Sequence, residues 1–244
     1  TELLCKYLDL PIKIKSKKNY DLIEISEVKS IRPLNYKIPS DISSSAFFIV
    51  LTLLANNSQL IIKNVNINKT RTGVITILNK MNANILFKNK RNYKGEIIAD
   101  LFIKSTKNIK SINCPESLNS SAIDEFLIIF LVAAKAKGVS SFKNLGELNQ
   151  KESPRLDIAV DILRQIGVKV ERKFNNIKIF GNPNLNLQGN YLINNFRKDH
   201  RIFMMSYIAA LVLGGNWKIY DKDSVNSSFP NFFKIIKQIK SKKN

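Results

Sequence analysis

The sequence predicts an α/β fold assembled from one unit used three times, and three observations carry that prediction. Asp41 and Thr70, Asp124 and Ser153, and Asp199 and Ser228 are each 29 residues apart. Each aspartate opens an apolar run of helical length, and each hydroxyl residue opens another. A short β-rich run separates the two every time, at residues 60–65, 139–142 and 217–220. Self-similarity at a fixed period marks a structural unit. Strand-to-helix crossovers imply sheets with parallel pairs, covered by helices.

In chain order, residues 2–8 read as helix, and 12–14, 22–25 and 36–38 as short strands between polar turns. Asp41 is placed to start a helix reaching residue 56, with strand 60–65 after it. Thr70 is placed to cap a second helix to residue 82, followed by strands 84–88 and 96–103. The second unit runs from Asp124 through a helix to Gly138, then strand 139–142. Ser153 is placed as N-cap and Pro154 at the first helical position, where its missing N–H costs nothing. Leu156, Ile158, Ala159, Ile162, Leu163 and Ile166 recur at helical spacing, and strands 169–172 and 177–180 follow. The third unit has a helix from Asp199 to Gly214, strand 217–220, and a helix capped by Ser228 through residue 240. Each unit reads strand–helix–strand–helix–strand–strand, the third without its last two strands. Units related by pseudo-symmetry would aim several helix N-termini at one face, and those positive ends favour anions.

Composition narrows the function. The 244 residues, 44% hydrophobic, suffice for one large domain or two modest ones. Thirty-nine basic residues against 19 acidic ones give a net +20. The lysines are scattered among Ile and Asn, with no basic block interleaved with aromatics, so no nucleic-acid partner is expected. A coding bias toward Lys, Asn and Ile accounts for them, and the positive field would still draw in small anions. Cys5 and Cys114 are too few and too far apart for a disulfide framework. The most apolar run, 126–134, is far too short to span a bilayer. No signal peptide is visible, and a soluble cytoplasmic protein without membrane partners is expected. One histidine and no glycine fingerprint leave zinc, nicotinamide and ATP unexpected. Thr1 stands in what reads as the middle of a helix, so a longer parent chain is expected.

The candidate chemistry gathers at helix starts. Lys151, Glu152 and Arg155 crowd one of them, where stability alone prefers acids. An anion shared by backbone amides, a lysine and an arginine explains the cations, as does a solvated helix start with an Arg–Glu pair. His200, the one histidine, and Arg201 follow the capping Asp199. Asp124 and Glu125 are each explained by a favourable dipole interaction of roughly 0.3–1 kcal/mol; a carboxylate there could alternatively take a proton from a substrate hydroxyl. Residues 40–45 and 68–73 read as caps and turns with no catalytic role.

Together these motifs resemble the 5-enolpyruvylshikimate-3-phosphate synthase family. The matching stretches are Ser40 to Phe48, Asn68 to Gly73 with Leu78 and Met81, and Ala122 to Phe126 with Ala133 and Ala134. Gly146-Glu147-Leu148 with Lys151 to Leu156, Asp199-His200-Arg201 and Ser228-Phe229-Pro230 complete them in the family's order. The departures are Asn149 for the usual arginine, Pro154 for aspartate, and Ser40 and Asn82 for glycines.

The resemblance implies an enolpyruvyl transferase fold, an inside-out α/β barrel with two domains of three units each and an active site between them. Residues 1–38 would end the first domain. Residues 39–244 would form the second, in units of about 39–115, 116–190 and 191–244. It implies transfer of the enolpyruvyl group from phosphoenolpyruvate to the 5-hydroxyl of shikimate 3-phosphate, without a cofactor, by a full-length monomer. Asp124 would hold ring hydroxyls and act as base, and Glu152 would handle the proton at the methylene carbon. Lys151, Arg155, His200 and Arg201 would bind the phosphate and carboxylate, with Glu147 near the shikimate side. A fragment of 244 residues is expected to be inactive alone. The alternatives are a transferase acting on UDP-N-acetylglucosamine and a non-catalytic anion- or nucleic-acid-binding remnant.

Overall fold

The computed structural model describes residues 2–18 and 20–241. The chain opens with α1 (Glu2–Tyr7) and an antiparallel hairpin of β1 (Ile12–Ser16) and β2 (Asp21–Ile25), none of whose residues is buried. Residues 30–39 form neither helix nor strand, contrary to the pattern at 36–38. Its alternation serves side-chain packing instead: the Tyr36 ring lies 5.5 Å from Tyr93, whose hydroxyl accepts from the Lys37 N–H at 3.0 Å.

The first unit follows the prediction closely. Asp41 caps α2 (Ile42–Leu54), its carboxylate accepting from the N–H groups of Ser43 and Ser44. Then come β3 (Gln59–Asn66), α3 (Gly73–Lys80), β4 (Asn84–Tyr93) and β5 (Glu96–Lys104), with β5 between the other two strands. Thr70 does not cap α3. It accepts no helix N–H; its own N–H and hydroxyl donate to Asn68 Oδ1, which closes a local turn and delays the helix to Gly73.

The second unit begins with the one-turn α4 (Asn119–Ala122), ahead of α5 (Phe126–Ala134). Asp124 therefore sits in the joint between two helices rather than at the cap. Next are β6 (Gly138–Phe142), α6 (Arg155–Gln165), β7 (Val170–Lys173) and β8 (Asn176–Gly181), in the same sheet order as before. The third unit adds β9 (Leu187–Ile193), a strand with no clear sequence signal that straddles residue 190, where the sequence pattern divides two units. After it come α7 (His200–Leu213), β10 (Gly214–Ile219) and α8 (Phe232–Ser241). Ser228 is no cap for α8, which starts four residues later; Ile235 N–H donates to Asn231 O.

The two three-stranded sheets are antiparallel, whereas β9 and β10 pair in parallel across α7. The same crossover survives in the other units only as isolated parallel bridges, Ser40 with Val65 across α2, and Lys110 with Lys137 and Asn113 with Ser141 across α5. Each unit therefore encloses its first helix between two parallel segments, and the three first helices α2, α5 and α7 pack on one another at the centre. All nine residues of α5 are buried. A helix apolar all round has no amphipathic face to show solvent, so it takes the middle and the sheets lie outside. Truncating Phe130, fully buried in α5, to alanine is expected to cost about 3–5 kcal/mol. Phe174→Ala, at a position 82% exposed, is expected to change stability by less than about 0.5 kcal/mol in the same denaturant titration.

Candidate active site

Asp124 is the meeting point of three units. Its Oδ1 lies 3.5 Å from Arg155 Nη1 and 3.9 Å from Lys151 Nζ; its Oδ2 lies 3.7 Å from Arg71 Nη1 and 3.9 Å from Arg201 Nη2. Its carbonyl also accepts from Arg201 Nη1 at 2.9 Å. Four cations thus face one carboxylate at ion-pair rather than hydrogen-bond distances. The carboxylate is partly open to solvent and keeps acceptor capacity for a hydroxyl.

The arginines arrive by different routes. Arg155 is the first residue of α6, and its side chain is only 2% exposed. Its Nε donates to Asp199 Oδ2 at 2.9 Å, and its Nη2 pairs with Glu152. Ser153 Oγ donates to the same Asp199 oxygen at 2.8 Å. Ser153 is accordingly not the cap of α6, and Pro154 stands at the cap position without a capping hydrogen bond. Asn149 does the capping from a distance: its Oδ1 accepts from the N–H groups of Leu156 at 2.9 Å and Asp157 at 3.3 Å. The asparagine that departs from the family pattern therefore has a structural task here.

Asp199 caps α7 through Arg201 N–H while holding Arg155, which fixes two helix starts relative to each other. Burial pushes its carboxyl upward, but the Arg155 hydrogen bond and charge, Ser153 and the Arg201 N–H prevail, leaving it below the usual carboxylate value. His200, beside it, is pushed below its ordinary value by burial and then by Arg201. Lys151 pairs with Glu147 at 2.9 Å, and both Glu147 and Glu152 have largely exposed side chains.

Arg71 lies in the 68–73 stretch, which the sequence pattern reads as a turn without a catalytic role. Its Nη2 donates to Ser43 Oγ at 2.8 Å, which steers Nη1 toward Asp124. The approach depends on Gly73, where a Cβ would come within 2.3 Å of Ser121 Oγ in α4. The repeat held a signal for it: Arg71 stands 30 residues after Asp41, and Arg155 stands 31 after Asp124. In the sequence Glu125 shares the two readings of Asp124, a dipole interaction or a proton acceptor. It is 3% exposed and reaches Arg201 Nη1 at 3.8 Å.

The chosen residues thus converge: Asp124, Lys151, Arg155 and Arg201 are in direct ion-pair contact, and Glu147, Glu152 and His200 border them. Among the described residues no group of three or more His, Cys, Asp or Glu could hold a metal ion. No helix among them is long and apolar enough to cross a membrane. Cys5 and Cys114 are free thiols, and burial pushes Cys114 up to about 11. A mostly apolar groove lined by Ser44, Phe48, Ile62, Phe229 and Ile235 does not include Asp124.

Three helix-centred units with sheets outside them define the enolpyruvyl transferase fold. The crystal structure of the enolpyruvyl transferase NikO from Streptomyces tendae shares it, with a TM-score of 0.63 and 13% identity over 95% of this chain and 50% of that one. The sequence model of EPSP synthase (3-phosphoshikimate 1-carboxyvinyltransferase) matches residues 4–236, and the chain belongs to that family. It is 36% identical over 226 residues to the 3-phosphoshikimate 1-carboxyvinyltransferase of Bacillus pumilus, covering 93% of this chain and 52% of the relative. With that of Ruthia magnifica it shares 41% identity over 207 residues, covering 83% and 46%. An EPSP synthase structure from Acinetobacter baumannii superposes with a TM-score of 0.88 at 32% identity, over 98% of this chain and 54% of that one. The chain spans about half the length of the relatives it matches.

Removing the Arg155 side chain would leave Asp199 buried and charged without its main partner. Arg155→Ala is expected to cost about 3–5 kcal/mol in chemical denaturation. Because the Asp199 pKa is depressed on folding, its stabilisation is present above the unfolded value of 3.8 and is lost as pH falls through the lower folded value. Asp199→Asn is expected to flatten that acid limb of the stability curve.

Proposed function

We propose that the Asp124 cleft is one half of the active site of a 3-phosphoshikimate 1-carboxyvinyltransferase, and that turnover requires the half that the relatives carry in addition. The supporting observation is the convergence of Arg71, Lys151, Arg155 and Arg201, drawn from three units, on one partly exposed carboxylate. In this reading residues 1–38 end the substrate domain and residues 39–244 form the second domain, with its third unit entered through β9.

Asp124 accepts hydrogen bonds from the ring hydroxyls of shikimate 3-phosphate and takes the proton of the 5-hydroxyl as its oxygen bonds to C2 of phosphoenolpyruvate. Glu152 supplies a proton to the methylene carbon, giving a tetrahedral intermediate with a new methyl group. Glu152 then takes one proton back from that methyl as the C2–phosphate oxygen bond breaks, and phosphate leaves with the electron pair. General acid–base transfer of this kind contributes typically 10²–10⁴-fold. Lys151, Arg155, His200 and Arg201 hold the phosphate and carboxylate and the charge that grows between them. The exposed Glu152 side chain can swing from Arg155 toward a substrate, and Glu147 borders the shikimate side. The reaction needs no cofactor, and a cytoplasmic setting with no nucleic-acid partner fits it. Acceptance of UDP-N-acetylglucosamine is not favoured by the relatives.

Phosphate release from shikimate 3-phosphate and phosphoenolpyruvate tests the reading, using the chain alone and the chain joined to the amino-terminal half of a relative. The joined protein is expected to turn over and the chain alone is not. In the joined protein Asp124→Asn is expected to lower turnover by about 10²–10⁴-fold. Substantial turnover by the chain alone, or an active Asp124→Asn protein, would refute it.

A further inference from the structure

Glu125 is a charge the proposed chemistry does not use. Its Oε1 is buried, has no hydrogen-bond partner, and lies 3.8 Å from Arg201 Nη1. That guanidinium spends its Nη1 hydrogen bond on the Asp124 carbonyl instead. The wider cluster is already close to charge balance: Arg71, Lys151, Arg155 and Arg201 face Asp124, Glu125, Glu147, Glu152 and Asp199. An arriving oxyanion can displace Glu147 and Glu152, whose side chains are 59% and 57% exposed. Asp199 is committed to Arg155 and Ser153 by hydrogen bonds. Glu125 alone among the five is both buried against Arg201 and free of such bonds to its cations.

We propose that Glu125 is a positioning residue that acts through Arg201, holding the guanidinium back by its charge and so limiting how tightly Arg201 grips a tetrahedral oxyanion. This rests on the anion cleft of the preceding section. A limit of that kind suits a site that must release a phosphate product, because a stronger hold on the oxyanion slows its departure. The groups facing Glu125 are Ser43 from α2, Arg71 from the turn before α3, Arg201 from α7, and Asp124 from its own segment. Burial raises the Glu125 carboxyl above its ordinary value, opposed by Ser43, Arg201 and Arg71. It therefore loses its charge, and its hold on Arg201, as pH falls through that raised value.

The test measures sulfate binding to the 244-residue chain by calorimetry from pH 5 to 9, because sulfate does not titrate there. Glu125→Gln is expected to tighten sulfate binding about tenfold at the alkaline end, the order expected of one unit charge acting through a short, partly buried path. The two affinities are expected to approach each other as pH falls through the raised value of the parent carboxyl. His200 titrates in both and cancels in the comparison. Should that variant not fold, Glu125→Asp takes its place: it keeps the charge but draws it back from Arg201, and is expected to tighten sulfate binding by a smaller factor at the same pH. Equal affinities and equal pH profiles, or weaker binding by either variant, overturns the role of Glu125 while leaving the anion cleft standing. Failure of the folded parent to bind sulfate at any pH removes the cleft, and this proposal with it.

Discussion

The buried contact between Arg155 and Asp199 is the constraint on which the rest of the cleft depends. Both side chains are almost wholly removed from water. An ion pair in that position is stable only when hydrogen bonds complete it, because desolvating each charge costs several kcal/mol. Here they do: Ser153 Oγ, Arg155 Nε and the Arg201 N–H all donate to Asp199. One carboxylate thereby caps α7, orients the first residue of α6, and aims Arg155 Nη1 at Asp124. Loosening it would move cations from two units at once.

Why the cleft falls at these helix starts follows from the core. α5 buries every residue, so α2, α5 and α7 form the centre and their polar flanks must emerge at its ends. Asp41, Asp124 with Glu125, and Asp199 lie at the N-terminal ends of those three helices. Asp41 is satisfied by its own helix. Asp199 is satisfied by a neighbouring unit. Asp124, in the joint between α4 and α5, is left facing cations contributed by all three units, with its carboxylate partly open to solvent.

The cluster is also nearly balanced before any ligand arrives. Exposed glutamates hold Lys151 and Arg155 from the solvent side, and a buried one sits beneath Arg201. A strongly basic chain provides long-range attraction for anions. Acids within the cluster oppose that attraction at short range.

The sequence by itself determined the class of fold, the three-fold repeat, the apolar centre and most of the converging residues. Those features are written in periodicity and in residue types set against the helix dipole, which are local and additive properties. It placed Asp199 and Asp41 correctly as caps for the same reason. It misplaced Thr70, Ser153 and Ser228, because a hydroxyl near a helix start can bond to any nearby partner, and Asn68 and Asp199 outcompeted the helix for two of them. β9 escaped notice because its pairing is with a strand beyond α7, and its own side chains alternate poorly. The repeat marks the position of Arg71, but its approach to Asp124 and the buried state of Glu125 were decided only by tertiary structure. Each depends on the close approach of elements far apart in the chain, at Gly73 against Ser121 and at Glu125 against Arg201. Desolvation and ion pairing are set by such neighbours, and no local pattern records them.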